Sequence, residues 1–291
     1  MSLCIAILTR DRPEHIATSI AHHAALAKRY GLKLYVFDNS VKTDNSALMA
    51  KYPEVIYHKH TKDLTYDESF RYALEHMEGS YRWVISDRPL IVVGAIPYIS
   101  DYLSLKKYSA IVVGSGNRLV LNGDTMECSD PDKVLTLFGW HTCLCSSVIY
   151  SEELIKSVDM DRYMGHGFIH TAIFLDGITR IKLPVLIIID SFLRIGDMTP
   201  TWIWEHMKIW TKDLFDMGMK LPYKPKHVIK FLQANGSGGK VLSEEAFKYL
   251  IVIGALTHEM VDKYEDEIKQ TSFVAIDRIH SIIDSIPRCG E

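Results

Sequence analysis

Three short polar clusters in the sequence combine carboxylate, guanidinium, hydroxyl and amide groups. They are Thr9-Arg10-Asp11-Arg12-Pro13, Asp38-Asn39-Ser40 and Ser86-Asp87-Arg88-Pro89. An aspartate can hold a divalent cation, and an arginine presents a fixed fork of donors to an anion. We therefore expect ligand chemistry wherever the fold brings these clusters together.

Each cluster follows an apolar run with the β-branched and aromatic bias of a strand. The runs are residues 4–8, 34–37 and 81–85. If the three strands are parallel, their polar ends lie on the carboxyl edge of one sheet, where open α/β sheets bind ligands. The clusters would then face one ligand.

The rest of the first 200 residues predicts strands alternating with helices. Pro13 and Gly31 bound a helix that follows the first strand, and Thr65 with Glu68 forms a capping box before another helix. We also expect strands over 142–150 and 180–190. The predicted fold class is α/β with a mostly parallel central sheet over residues 1–200, followed by a C-terminal helical region over 201–291.

Composition excludes several classes of protein. The chain has 291 residues, 47% of them hydrophobic and 24% charged, and its formal net charge is −3, so no overall field favours nucleic acid. The apolar run at 183–189 is far shorter than the roughly 20 residues of a membrane span. Five cysteines, an odd number, and an opening that enters a strand directly predict a reducing, cytoplasmic setting.

The order of these motifs resembles the nucleotide-binding half of family 2 glycosyltransferases with the GT-A fold, over roughly residues 3 to 100. In that family the first strand ends in a Thr-aromatic-Asn-Arg-Pro-like turn, the second in an acidic turn, and the central one in Asp-x-Asp. The resemblance matches Thr9 and Arg12 to the first-strand turn, and we expect these two residues and Arg10 to bind the donor substrate. It places Asp38 and Asp67 beside the donor base and makes Asp87 the first aspartate of the central motif.

The central motif departs from the family pattern because Arg88 and Pro89 stand where further carboxylates are usual. Two hypotheses follow. Asp87 holds Mg²⁺ or Mn²⁺ through water, with Arg88 in a surface ion pair. Alternatively, Arg88, helped by Arg10 or Arg12, takes over part of the work of the metal, and transfer is metal-independent.

An inverting transfer needs a base, which the family places at a helix start after a glycine-rich loop. Gly165-His166-Gly167-Phe168-Ile169-His170 occupies that place and contains no carboxylate. The resemblance points to His170, and a histidine titrates in the right range for a base. Asp161 and His166 are alternatives, with His166 also a substrate-binding candidate. A hydrogen-bonded histidine at a helix start is an equally good interpretation.

Two other groups of residues could touch a ligand. His141, Cys143 and Cys145 alternate along a predicted strand as a set of metal ligands would, but no second pair with metal spacing follows, which favours buried thiols. Trp202 and Trp204 could stack on an acceptor sugar, whereas we expect Trp210 in the core.

The resemblance implies an inverting glycosyltransferase that moves a sugar from a nucleotide-sugar donor to a glycan or lipid-linked acceptor. Bacterial surface polysaccharide biosynthesis would be the setting. The alternative is a non-catalytic nucleotide-sugar-binding module or assembly partner. The C-terminal helices are compatible with peripheral contact at the inner face of the membrane or with a homodimer, although packing within the chain is the default.

Overall fold

The computed structural model describes residues 2–116, 118–119, 123–195, 203–237 and 241–286. Within these residues one nine-stranded sheet has the order β3-β2-β1-β4-β8-β6-β9-β5, and β7 pairs with β9. The strands are β1 Leu3–Thr9, β2 Lys33–Asp38, β3 Ile56–Lys59, β4 Tyr81–Ser86, β5 Leu90–Ile91, β6 Ala110–Ser115, β7 Thr125–Cys128, β8 Val148–Ser151 and β9 Val185–Arg194.

The three strands that end in polar clusters are neighbours. β1 lies between β2 and β4 and is parallel to both. Thr9 is in register with Asp38, and Leu8 is in register with Ser86, so all three clusters begin at the same edge. The predicted convergence is therefore confirmed. Six of the nine described strands share this direction, and β5, β7 and β8 run against it.

Helices lie between the strands along the first 195 residues, and the sequence predicted the helix after the first strand and the helix after the capping box. In this part of the chain they are α1 Pro13–Tyr30, α2 Ser46–Met49, α3 Tyr66–His76, α4 Ala95–Leu105, α5 Pro131–Thr142, α6 Glu152–Ser157 and α7 Ile169–Arg180. α1 and α4 contribute to a buried cluster with alternate residues of β1, β2 and β4. Burial of these apolar faces drives the helices onto the sheet.

The capping box sets the start of α3. The Thr65 hydroxyl accepts from the Glu68 backbone N–H, and the Glu68 carboxylate accepts from the Thr65 N–H. Two of the orphan donors at the helix N-terminus are thereby satisfied. This fixes Tyr66 and Asp67 in the first turn of α3, which the functional site uses.

Some predicted elements are wrong. Residues 142–150 are not one strand, because α5 continues to Thr142, a turn follows and β8 begins only at Val148. The apparent alternation belongs to that turn, whose Ser146 carbonyl accepts the Trp83 indole N–H at 2.8 Å. The strand expected from Arg180 starts five residues later, since α7 runs to that residue.

By contacts between residues the chain falls into two compact units. The first comprises the described parts of 2–131, 142–165 and 169–195, and it contains the sheet. The second comprises 132–141, 166–168 and the described residues from 203 onward. The boundary predicted at residue 200 stays a prediction.

The second unit is helical in its described residues. After a 3₁₀ turn, Ile203–Glu205, and a π-helical segment, Lys208–Asp213, it contains α8 Leu214–Met219, α9 Pro225–Ser237, α10 Glu244–Val252, α11 His258–Lys263, α12 Glu265–Thr271 and α13 Ile276–Ser285. A Cβ at Gly139 would lie 2.8 Å from the Phe231 ring, so close packing of α5 on α9 requires glycine there.

None of the helices in the described ranges is both long enough and apolar enough to span a bilayer.

Candidate active site at the carboxyl edge of the sheet

Thr9, Asp87 and Arg12 meet where β1 and β4 end. The Thr9 hydroxyl donates to Oδ2 of Asp87 at 2.7 Å, and Arg12 Nη2 lies 2.9 Å from Oδ1. The Asp87 side chain is 0% exposed and that of Arg12 is 26% exposed. The contact to Oδ1 is an ion pair without the angle of a directed hydrogen bond. The structure thus joins three residues that the sequence predicted to act together.

Burial shifts the pKa values of Asp87 and Arg88 in opposite directions. Burial raises the pKa of Asp87, and the charge of Arg12 and the hydroxyl of Thr9 act against that rise. Burial also lowers the pKa of Arg88, and the nearby Arg12 adds to this, while Asp87 opposes it. Two guanidinium groups therefore lie near one buried carboxylate.

Asp38 is buried and its carboxylate is bonded within the protein. Oδ1 accepts from the Ser40 backbone N–H at 2.8 Å, and Oδ2 accepts from Tyr57 at 2.8 Å and from Asn45 at 3.0 Å. Lys59 Nζ lies 3.4 Å from the same oxygen. Burial acts to raise the pKa of Asp38, but these hydrogen bonds outweigh it and the pKa is lowered. A ligand that donates a hydrogen bond to the Asp38 carboxylate would have to replace one of these donors.

Asp11 is a site residue that sequence reasoning did not select. It has a left-handed backbone with φ of 51°, and its Oδ1 accepts from the backbone N–H groups of Val41, Lys42 and Thr43 at 2.9, 2.6 and 3.2 Å. One carboxylate therefore fixes the loop after β2. The only sequence signal was an aspartate between two arginines, since aspartate tolerates this backbone better than most residues.

Arg10 points away from the Asp87 cluster. Its Nη2 donates to Asp63 at 2.9 Å, and its Nη1 donates to the Leu64 carbonyl at 3.4 Å. Asn39 binds the same backbone, accepting from the Leu64 N–H at 3.0 Å and donating to the Leu64 carbonyl at 2.7 Å. Arg10 and Asn39 thus tie the ends of β1 and β2 to the loop before α3.

Asp67 binds both ends of the glycine-rich segment. Its Oδ2 accepts from the Gly165 N–H at 2.8 Å and its Oδ1 from the Ile169 N–H at 3.3 Å. The residue is 2% exposed. Asp67, predicted as a nucleoside contact, thus anchors the start of α7.

His170 lies at the start of α7 with both ring nitrogens engaged. Nε2 lies 3.1 Å from the Cys143 carbonyl and must donate to it, which leaves Nδ1 to accept from the Tyr66 hydroxyl at 3.1 Å. Burial lowers the pKa of His170 to about 4. The histidine is therefore neutral at pH 7, and its lone pair faces Tyr66.

Tyr66 connects His170 to the region around Asp87. Although 36% of the residue is exposed, its hydroxyl end is enclosed, and burial raises its pKa well above the ordinary value, with Cys145 adding to this. Burial raises the pKa of the Cys145 thiol to about 11, against the effects of Tyr66 and Arg12. Cys145 is thus a protonated neighbour of the site and not a nucleophile at neutral pH.

The other predicted residues lie elsewhere or outside the described ranges. His166 Nε2 is 2.7 Å from Lys220 Nζ within the second unit. Trp202 falls outside the described residues, Trp204 is 60% exposed, and Trp210 is buried against Phe168. Asp161, the alternative base, forms an ion pair with Arg71.

The side chains at this edge do not provide the ligands that a divalent cation needs. Mg²⁺ needs several oxygens around one point, and usually keeps waters beside one or two carboxylates. Asp87 is enclosed, one oxygen bonded to Thr9 and the other facing Arg12, and a guanidinium repels a cation. Across the part of the chain that is described, no three His, Cys, Asp or Glu side chains form a metal-binding group.

Two surface cavities of about 500 and 520 Å³ lie apart from this cluster. The first is lined by charges of both signs, including Arg71, Arg82 and Asp161. The second includes Ser2 and Lys33 near the strand starts. Neither contains a residue of the Thr9, Arg12 and Asp87 cluster.

The mostly parallel central sheet, its helices and the polar carboxyl edge define the GT-A fold, and the predicted resemblance in fold is confirmed. Several solved structures share this architecture. Staphylococcus aureus TarS, residues 1–349, superposes with a TM-score of 0.59 at 10% identity, covering 98% of this chain and 91% of that one. A second TarS structure, in complex with UDP-GlcNAc, gives a TM-score of 0.60 at 9% identity with the same coverage.

Two further structures differ in source and substrate. The mannosyltransferase PcManGT from Pyrobaculum calidifontis, in complex with GDP-Man and Mn²⁺, has a TM-score of 0.56 at 13% identity and covers 97% of this chain and 84% of its own. Glucosyl-3-phosphoglycerate synthase from Mycobacterium tuberculosis, with Mn²⁺, UDP and phosphoglyceric acid, has a TM-score of 0.54 at 11% identity, with coverages of 77% and 80%. At these identities the likeness establishes the fold alone. No family model and no curated protein sequence matches the chain.

Proposed function

We propose that the protein is a nucleotide-sugar-dependent glycosyltransferase that inverts the anomeric centre of the donor. The observation that carries the proposal is the meeting of Thr9, Asp87 and Arg12 at the carboxyl edge of β1 and β4. The fold shared with enzymes solved with UDP-GlcNAc and GDP-Man supports the same class of donor. The acceptor we propose is a hydroxyl of a glycan or of a lipid-linked sugar.

Each polar turn has a part in this proposal. Arg12 and Arg88 face the diphosphate, because a leaving nucleoside diphosphate gains negative charge as the sugar bond breaks. Asp38 and Asp11 hold the loop after β2 in shape for the nucleoside. Asp67 holds the glycine-rich segment. Preorganised groups of this kind contribute most when they do not have to rearrange during the reaction.

The base stays a prediction, with His170 as the first candidate. A proton from the acceptor hydroxyl would pass to Tyr66 Oη as the Tyr66 proton passes to Nδ1 of His170. The pKa of about 4 makes His170 a weak base at pH 7, so the relay requires charge in the bound complex to favour the imidazolium. His166, also proposed as a substrate contact, is the second candidate.

The proposed setting is the cytoplasm, at the inner face of the membrane, in bacterial surface polysaccharide synthesis. This rests on the resemblance of the motifs. Peripheral membrane contact, a homodimer and stacking of an acceptor sugar on Trp202 remain proposals of the same kind. Nucleic acid is not proposed as a partner because the net charge is −3.

The test is a product assay with a panel of UDP-, GDP-, CDP- and dTDP-sugars and hydroxyl acceptors. We expect release of the nucleoside diphosphate with one donor, and a product of inverted anomeric configuration by proton NMR. Asp87→Asn should reduce turnover by at least about 100-fold, since it disturbs the Thr9 and Arg12 contacts together. Asp101→Asn, an exposed aspartate on α4, is the matched control and should retain wild-type turnover.

A non-catalytic module gives a different result. Such a protein would bind one nucleotide sugar tightly and release no nucleoside diphosphate with any acceptor. Retention of configuration would contradict the inverting mechanism. Equal turnover of Asp87→Asn and Asp101→Asn would remove the Asp87 cluster from the catalytic site.

A further inference from the structure

We propose that Arg12 and Arg88 bind the donor diphosphate directly in place of a divalent cation, and that Asp87 positions Arg12 instead of ligating a metal. The inference rests on the proposed function and identifies how the same site meets the charge of its substrate. The proposed site would differ in this respect from PcManGT and glucosyl-3-phosphoglycerate synthase, whose structures contain Mn²⁺.

The environment of Asp87 is closed to a metal ion. Its side chain is 0% exposed, and Thr9 and Arg12 face its two oxygens. To bind a cation, the Asp87 carboxylate would have to lose its ion pair with Arg12 and accept a positive ion beside the guanidinium. Replacement of one buried partner of such a pair is costly, because the other charge is left without compensation. The arrangement therefore suits Asp87 to hold Arg12.

Arg12 has hydrogen-bond donors available for a ligand. Its guanidinium has five N–H donors, yet among the described residues its one carboxylate contact is Asp87, and that contact lacks hydrogen-bond geometry. Its side chain is 26% exposed, so part of the fork reaches solvent. A planar fork with donors to spare matches two oxygens of a phosphate.

Arg88 directly follows Asp87 beyond the end of β4 and is half-buried. Burial lowers the pKa of Arg88, the guanidinium of Arg12 lowers it further, and Asp87 opposes both. A diphosphate at this edge would bring negative charge to both guanidiniums.

Arg10, the other arginine of the first cluster, is not part of this arrangement. It donates to Asp63 and to the Leu64 carbonyl, and its side chain is 49% exposed. Of the two arginines that the sequence left as alternatives, Arg12 therefore lies beside Asp87 and Arg10 beside Asp63.

In the transfer step the bond between the anomeric carbon and the β-phosphate oxygen breaks, and its electron pair stays on that oxygen. The acceptor oxygen bonds to the anomeric carbon, and the acceptor proton passes to the base. The departing diphosphate gains one unit of negative charge, which Arg12 and Arg88 neutralise by charge-assisted hydrogen bonds. No further reactant is required.

The experiment is calorimetric titration with UDP, GDP, CDP, ADP and dTDP, once in EDTA and once in MnCl₂. We expect one nucleotide to bind in EDTA with a Kd within about 3-fold of its value in Mn²⁺. Arg12→Gln should weaken that binding by about 10- to 100-fold in both buffers, and Arg12→Lys by less, as expected for loss of hydrogen bonds to a charged group. Arg29→Gln, an exposed arginine at the end of α1, should bind as the wild type does.

Asp87→Asn separates the two roles of the carboxylate. If Asp87 positions Arg12, the variant should bind more weakly than the wild type by the same factor in EDTA and in MnCl₂. If Asp87 is a metal ligand, the wild type should gain affinity from Mn²⁺ and the variant should lose that gain. Electron paramagnetic resonance of Mn²⁺ with protein and nucleotide gives a second readout, and we expect no protein-bound manganese signal.

The outcomes distinguish the inference from the function on which it rests. Binding only in Mn²⁺, or Arg12→Gln binding like Arg29→Gln, would overturn the arginine proposal and leave a glycosyltransferase intact. Failure of all five nucleotides in both buffers would overturn both. Thermal unfolding of each variant verifies folding, and Arg12→Lys, which retains the charge, tests the proposal even if Arg12→Gln is unstable.

Discussion

Acid should destabilise the protein through His170, which is 3% exposed and has a pKa of about 4 against an ordinary 6.5. As pH falls through 6.5 the unfolded chain takes up a proton at this histidine, while the folded protein does so only near pH 4. The stability contributed by neutral His170 is therefore complete above pH 6.5 and is lost below it. The loss between pH 7.5 and pH 5.0 amounts to about 2 kcal/mol.

Urea unfolding followed by tryptophan fluorescence measures this loss. His170→Gln keeps a donor where Nε2 faces the Cys143 carbonyl but has no titrating group in this pH range. The wild type should lose about 2 kcal/mol more unfolding free energy than the variant between pH 7.5 and pH 5.0. Equal losses in the two proteins would refute the assignment of a buried, neutral imidazole.

His23 provides an independent test of the loss of stability in acid. It is 0% exposed, and burial lowers its pKa to about 4. Its Nδ1 faces the Ser19 carbonyl and its Nε2 accepts from the Ile91 N–H, so Asn is the nearest neutral replacement. His23→Asn should remove a similar part of the acid loss. The effects of the two variants should add, because the histidines lie on different elements.

Three other predictions test how the site is held together. Asp67→Asn should lower the unfolding free energy by about 1.5–3 kcal/mol, because a buried carboxylate loses charge-assisted bonds to Gly165 and Ile169; urea unfolding against Asp101→Asn measures it. Asp11→Ala should expose the loop it binds, so trypsin should cleave after Lys42 faster than in the wild type, and an unchanged rate by mass spectrometry would contradict this. Thr65→Ala should cost about 1 kcal/mol by loss of the capping box, with Thr65→Ser retaining most of the stability.

The parts of the site that follow from local patterns were predictable. Apolar runs that end in polar clusters predicted β1, β2 and β4. Because these strands are parallel neighbours, the residues that follow them lie at the same edge of the sheet. The capping box likewise gave the start of α3. These are short-range features, in which neighbouring residues determine the backbone.

What failed depends on contacts distant in sequence. The turn before β8 alternates like a strand, and its Ser146 carbonyl accepts the Trp83 indole N–H from 63 positions away. Asp11 acts on residues about 30 positions away, and Tyr66 meets His170 across 104 positions. No spacing rule reaches that far. The predicted pairing of Arg10 or Arg12 with Arg88 needed coordinates to choose between them.

A crystal structure of the protein with its preferred nucleoside diphosphate, grown in chelator, would show directly whether the arginines bind the diphosphate. We expect density for the nucleotide at the carboxyl edge of β1, β2 and β4, with diphosphate oxygens within about 3 Å of the Arg12 guanidinium. Nucleotide bound at another surface, or a diphosphate that contacts neither Arg12 nor Arg88, would contradict it.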